Sequence, residues 1–125
     1  MSAPASLTAL IEAARAAACD ARYQAAKTLP YKSHLSYREV EVVAGDGAGN
    51  RVDDPVFIPM SMLSAKTLRS AIASLRRNPQ AVEISLQGGF DLWESFNEYM
   101  KRDEGYEYEP CVAQWDVEVP KELMA

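Results

Sequence analysis

Residues 81–87 alternate without error, with Val82, Ile84 and Leu86 pointing one way and Glu83, Ser85 and Gln87 the other. A period of two marks a strand with one buried and one solvated face. The same alternation runs through 37–44, where Val40, Val42 and Ala44 oppose Glu39 and Glu41. It returns in 111–119, where Cys111, Ala113, Trp115, Val117 and Val119 oppose Gln114, Asp116 and Glu118. Three such strands require a sheet whose second face stays at least partly wet. The glycine-rich run at 45–50 turns the chain, and 51–60 return as a fourth strand. Pro55 and Pro59 lack the N–H a central ladder needs, which places that strand at an edge.

Between the strands the period changes to helical. Residues 3–28 hold eleven alanines, which favours helix. Leu7, Leu10, Ile11, Ala14, Ala18, Ala21 and Ala25 fall on one stripe, while Glu12, Arg15, Asp20 and Arg22 fall off it. Ser6 supplies a cap and Pro30 a stop, so the helix spans about 6–28. Ser64 caps a second helix over 64–78, with Ala65, Leu68, Ile72 and Leu75 inward and Pro79 ending it. After Gly88-Gly89, Asp91 stands three residues before Glu94 in a capping-box arrangement, and Leu92, Trp93, Phe96, Tyr99 and Met100 fit one helical face. This predicts a third helix over 91–103. The competing reading is a hairpin turned at the two glycines.

The expected fold is therefore α+β, in the order α-β-β-α-β-α-β. It has a four-stranded mixed or antiparallel sheet and helices mainly on one face. All 125 residues form a single domain, with 1–5 and 121–125 as loose termini. A chain of this size buries enough surface to fold without disulfide or metal. The longest apolar run is far short of the roughly 20 residues that span a bilayer. The first residues lack the basic and apolar segments of a secretory signal. Hence the expectation is a cytoplasmic protein with no membrane contact. Its high alanine content, with Arg exceeding Lys, suggests a bacterial or phage genome.

Catalytic signatures are sparse. His34 is the single histidine and Cys19 and Cys111 the only cysteines, too few for a closed zinc site without help from carboxylates. No cofactor or metal is expected. Both cysteines read as small buried hydrophobes, and His34 as a loop residue. The 45–50 run lacks the Gly-Lys-Ser/Thr ending of a phosphate loop, and a strand rather than a helix follows it. It reads as a hairpin tip. Paired carboxylates such as Asp53 and Asp54 fit solvated loop charge.

Charge is more informative. Residues 1–78 carry ten Lys or Arg against seven Asp or Glu, whereas 79–125 carry three against eleven. The net charge of −5 disfavours direct nucleic-acid binding. The one basic stripe, Lys66, Arg69, Arg76 and Arg77, reads as a solvated face or an internal partner for the acids. Seven of the eleven aromatics fall in 90–115, the stretch that also holds seven of the eleven acids of 79–125. Aromatic anchors rimmed by charge of one sign characterise a charge-steered interface. The expected partner-binding residues are Glu94, Glu98, Asp103, Glu104, Tyr106, Glu107, Tyr108 and Glu109.

These observations point to a small acidic protein-binding module, not an enzyme, that engages a basic protein surface through its C-terminal acidic–aromatic region. An inhibitor or regulator fits, of the kind that immunity proteins, antitoxins and phage-encoded inhibitors exemplify, with mimicry of nucleic-acid phosphates as one mode. The alternative is a small enzyme or ligand-binding domain with a pocket between sheet and helices. An exposed strand edge offers a route to a homodimer.

Overall fold

The computed structural model describes residues 4–29, 34–93 and 111–124. The first helix, α1, spans Leu7–Ala26, and Ser6 caps it by accepting from the Ala9 N–H at 3.1 Å. Its alanine stripe packs as the spacing requires, with Leu10, Ile11, Ala14 and Ala18 buried. The strands β1 (His34–Tyr37) and β2 (Val40–Gly45) follow, then β3 (Arg51–Ile58) and the helix α2 (Ala65–Leu75). In α2 the Ser64 side chain accepts from the Thr67 N–H while the Thr67 hydroxyl accepts from the Ser64 N–H, a reciprocal cap. The long strand β4 (Glu83–Trp93) and β5 (Cys111–Glu118) complete the sheet.

All five strands are antiparallel to their neighbours. The β2 strand pairs with the first half of β4, β1 with the second half, and β5 with the opposite edge. The lateral order is therefore β3, then β2 continued by β1, then β4, then β5. Both helices lie on one face, α1 across β4 and β5 and α2 against β2 and β3. Between them and the sheet sits one apolar core, in which Leu10, Val40, Val42, Leu68, Leu86 and Phe90 are fully buried.

The α+β class holds, and the sheet is antiparallel rather than mixed. The expected strand over 37–44 is broken into β1 and β2, giving five strands instead of four. A helix starting at Asp91 is not formed. Residues 91–93 continue β4, with Asp91 opposite Ser36 and Leu92 opposite Leu35. The hairpin alternative fails as well, because Gly88 and Gly89 lie inside the strand. The remainder of the expected third helix, 94–103, lies outside the described residues.

Those two glycines mark bulges on both sides of β4. Tyr37 pairs with Phe90 but Glu41 with Gln87, so the β1–β2 line carries one extra residue there. Across the other edge, β5 carries its extra residue at Ala113, whose φ of 53° is left-handed. A side chain at Gly88 would collide with the Trp115 indole, since a Cβ built there lies 2.5 Å from Cζ2. The glycine lets the ring lie flat against the strand.

Smaller corrections concern single positions. Val82 is 47% exposed rather than inward, because the ladder begins at Glu83 and Ala81 turns into the core instead. Cys19 lies on the exposed side of α1 instead of in the core. His34 opens β1 instead of lying in a loop. The C-terminal end is docked rather than loose, with a 3-10 turn over Lys121–Leu123 and Met124 buried.

Candidate functional site

With both helices on one side, the other face of the sheet is bare, and the register fixes what it presents. One row runs across four strands as Phe57, Glu41, Gln87 and Asp116. The next runs Val43, Ser85 and Glu118, and a third Arg51, Gly45 and Glu83. Neighbouring side chains in a row stand about 5 Å apart. Beyond the bulge, Asp91 faces the same way beside Ser36. Two depressions of about 940 and 410 Å³ open on this face. Their walls carry six carboxylates (Glu39, Glu41, Glu83, Asp91, Asp116 and Glu118) against two guanidiniums, Arg38 and Arg51.

Both guanidiniums are engaged by side chains. Arg38 Nε donates to Asp91 Oδ1, the one salt bridge among the described residues. Asp91 is nearly buried, so this bond holds its carboxylate against the loss of water. Arg51 reaches over β2 and donates to Gln87 Oε1 at 3.4 Å. Gln87 in turn donates to Asp116 Oδ2 at 3.3 Å and to Ser85 Oγ at 3.2 Å. A polar relay thus crosses the sheet from β3 to β5. Burial pushes the Asp116 carboxyl above its ordinary value, and the neighbouring Glu118 carboxylate adds to the rise. The hydrogen bond from Gln87 acts against it. Phe57, 55% exposed, stands at the end of the same row.

Charge is segregated by layer. Residues 4–29 and 59–80, which contain both helices, hold seven basic side chains and two acidic ones. The sheet-forming segments 34–58, 83–93 and 111–118 hold nine acidic and two basic. Lys66, Arg69, Arg76 and Arg77 are exposed on the outer side of α2. None of them forms a salt bridge within the described residues. Pairing of that stripe with acids of the sheet is therefore not how the asymmetry is resolved there.

The expected partner-binding residues Glu94, Glu98, Asp103, Glu104, Tyr106, Glu107, Tyr108 and Glu109 all lie outside the described residues. Their place in the chain is fixed nonetheless, because 94–110 join the end of β4 to the start of β5, where Asp91 pairs with Cys111. The acids of the open face are ones the sequence reading passed over. The signal was present, since Glu39, Glu41, Glu83, Asp116 and Glu118 all occupy outward positions of alternating strands. Phe57 left no such signal, because Pro55 and the irregular Asp53 (φ 62°) obscure the period of β3.

The 45–50 run is a hairpin tip, as expected. Asp46 accepts from the Ala48 N–H at 2.8 Å and from the Asn50 N–H at 3.2 Å, while Gly47 and Gly49 take left-handed φ values of 81° and 91°. These bonds hold the Asp46 carboxyl below its usual value, the Ala48 N–H contributing most. Among the described residues no group of His, Cys, Asp or Glu is arranged to hold a metal ion, and no helix is long and apolar enough to cross a membrane. Compared with protein-family models, curated proteins and solved structures, the chain matches none.

Proposed function

We propose that this protein is a binding module of the inhibitor or regulator type whose ligand is a basic surface on another protein. The observation that carries the reading is the segregation of charge by layer, which leaves a bare sheet face walled by six carboxylates. Asp116 supplies a physical motive. Its ionised form is disfavoured by burial and by Glu118, and an incoming guanidinium or ammonium relieves that cost. Phe57 offers an apolar and cation–π contact at the rim.

Size argues that the sheet face does not act alone. Four strands about 5 Å apart and some 20 Å long present roughly 400 Å². A stable interface uses about 800 Å² per partner. The acidic–aromatic stretch 94–109 is joined to one end of this face through Trp93 and Cys111 and supplies the additional contact, with Tyr106 and Tyr108 as anchors. In this reading the carboxylate rows stand in for backbone phosphates, which makes a nucleic-acid-binding protein the favoured kind of partner. The space between sheet and helices is occupied by core side chains such as Phe90 and Leu10, whereas both depressions open on the bare face. A ligand pocket between the layers therefore has less support.

Affinity capture from the native host lysate tests the proposal, using the wild type, Asp116→Lys/Glu118→Lys and Glu107→Lys/Glu109→Lys. A basic protein held by the wild type at low salt, released at high salt and lost from both variants supports it. Equal capture by all three proteins, or capture insensitive to salt, refutes it.

A further inference from the structure

The same segregation of charge bears on how copies of the chain meet one another. The outer side of α2 presents Lys66, Arg69, Arg76 and Arg77 with no acid on that helix. The open sheet face lies on the far side of the apolar core. Within one chain the two surfaces cannot touch; between chains they can. We infer that the basic face of α2 docks on the acidic sheet face of a second copy, head to tail.

Other modes of self-association are opposed by what the surfaces carry. Stacking two open sheet faces brings Glu41, Glu83, Asp116 and Glu118 against their own copies, which is repulsive. Edge-to-edge pairing through β3 meets Pro55, which has no N–H to give, and the left-handed Asp53. Pairing through β5 meets the bulge at Ala113. Such features are ways in which a sheet edge is blunted. The head-to-tail contact is heterologous, so it propagates into open chains of copies unless it closes a ring. It is also weak, because the sheet offers roughly half of a stable interface and the net charge of −5 opposes approach at long range. A weak contact of this kind covers the acidic face in the free protein, and a basic partner displaces it. The inference concerns this chain alone and stands whether or not the partner reading does.

Sedimentation velocity over a concentration series, at about 25 mM and about 300 mM salt, tests it. The wild type should grow in average mass with concentration at low salt and return to monomer at high salt. Lys66→Glu/Arg69→Glu and Asp116→Lys/Glu118→Lys should each associate at least about tenfold more weakly when alone. Mixed in equal amounts they should associate again, because each altered face then meets its complement. Single changes, Arg77→Glu and Glu118→Lys, give the same directions should a double variant fail to fold. A wild type that stays monomeric at low salt, or variants that associate as it does, would overturn the inference. So would a lower melting temperature in Lys66→Glu/Arg69→Glu beside a monomeric wild type, since α2 would then be pairing within its own chain.

Discussion

Replacing Gly88 by alanine should cost far more than the same change at Gly45, although both positions look crowded. At Gly88 the new Cβ would lie 2.5, 2.6 and 2.8 Å from Cζ2, Cε2 and Nε1 of Trp115. Those atoms belong to a rigid indole that is itself buried in the core, so relief requires moving the ring or the strand. Overpacking of this kind costs about 1–3 kcal/mol, and three contacts inside 3 Å argue for the upper half of that range. The loss of backbone freedom in the unfolded chain returns about 0.4–1 kcal/mol. The net expectation is a destabilisation of about 2 kcal/mol, or a fall in Tm of roughly 8 °C for a domain of this length. At Gly45 the nearest atom, 2.8 Å away, is Oε1 of Glu83, the tip of an exposed and flexible side chain. It can swing aside, and Gly45→Ala should change stability by less than about 0.5 kcal/mol. Urea denaturation of both variants measures the difference. Combining Gly88→Ala with Trp115→Leu isolates the contact, because the alanine should then cost under about 0.5 kcal/mol. Equal losses at the two glycines, or an undiminished cost in the leucine background, would mean that the Trp115 ring does not set the requirement for glycine at position 88.

Other expectations follow from single groups. The Asp116 carboxyl has a folded pKa above its ordinary 3.8. The folded state therefore binds its proton more tightly, and the penalty is absent below the unfolded pKa and complete above the folded one. Asp116→Asn should accordingly raise stability at neutral pH, with a gain that disappears in melts below about pH 4; a gain independent of pH would contradict this. Asp46 runs the other way, so the stabilisation it gives is present above 3.8 and lost as pH falls through its lowered value, and Asp46→Ala should be most harmful at neutral pH. Arg38→Met removes the partner of the nearly buried Asp91 and should cost about 1–3 kcal/mol in urea denaturation. In a Cys111→Ser background, exposed Cys19 should react with a thiol reagent in the native protein without added denaturant; protection until unfolding would contradict its placement on the outer side of α1.

Local periodicity made most of the fold legible. On α1, α2 and β2 most of the expected inward residues are buried, while Leu7, Ala21, Ala25 and Ala65 are partly covered. The reading failed where regularity fails. Gly88-Gly89 reads as the end of a strand, yet the pair lies inside β4 because Trp115 needs the space and both neighbouring strands bulge around it. Asp91 reads as a helix cap, but its carboxylate serves Arg38, fifty-three residues earlier in the chain. No local pattern encodes such a partner. For the candidate site, the sequence reveals that acids concentrate in the C-terminal part. It does not reveal that the strands gather Glu39, Glu41, Glu83, Asp116 and Glu118 on one bare face, since that depends on which side the helices cover. Segregation by layer is a property of topology, and the division by chain halves is only its shadow.

Steering of a basic protein onto this face is measured by association kinetics with the captured partner across a range of ionic strength. Reversal at Asp116 and Glu118, or at Glu107 and Glu109, should slow association and flatten its dependence on salt. Tyr106→Ala or Tyr108→Ala should instead speed dissociation by roughly thirtyfold, the equivalent of about 2 kcal/mol for a desolvated aromatic anchor. Thermal melts on the same proteins separate binding from folding. Association rates unchanged by charge reversal, together with lost stability that Lys66→Glu/Arg69→Glu restores, would rule out steering and make the acidic residues part of the protein's internal architecture.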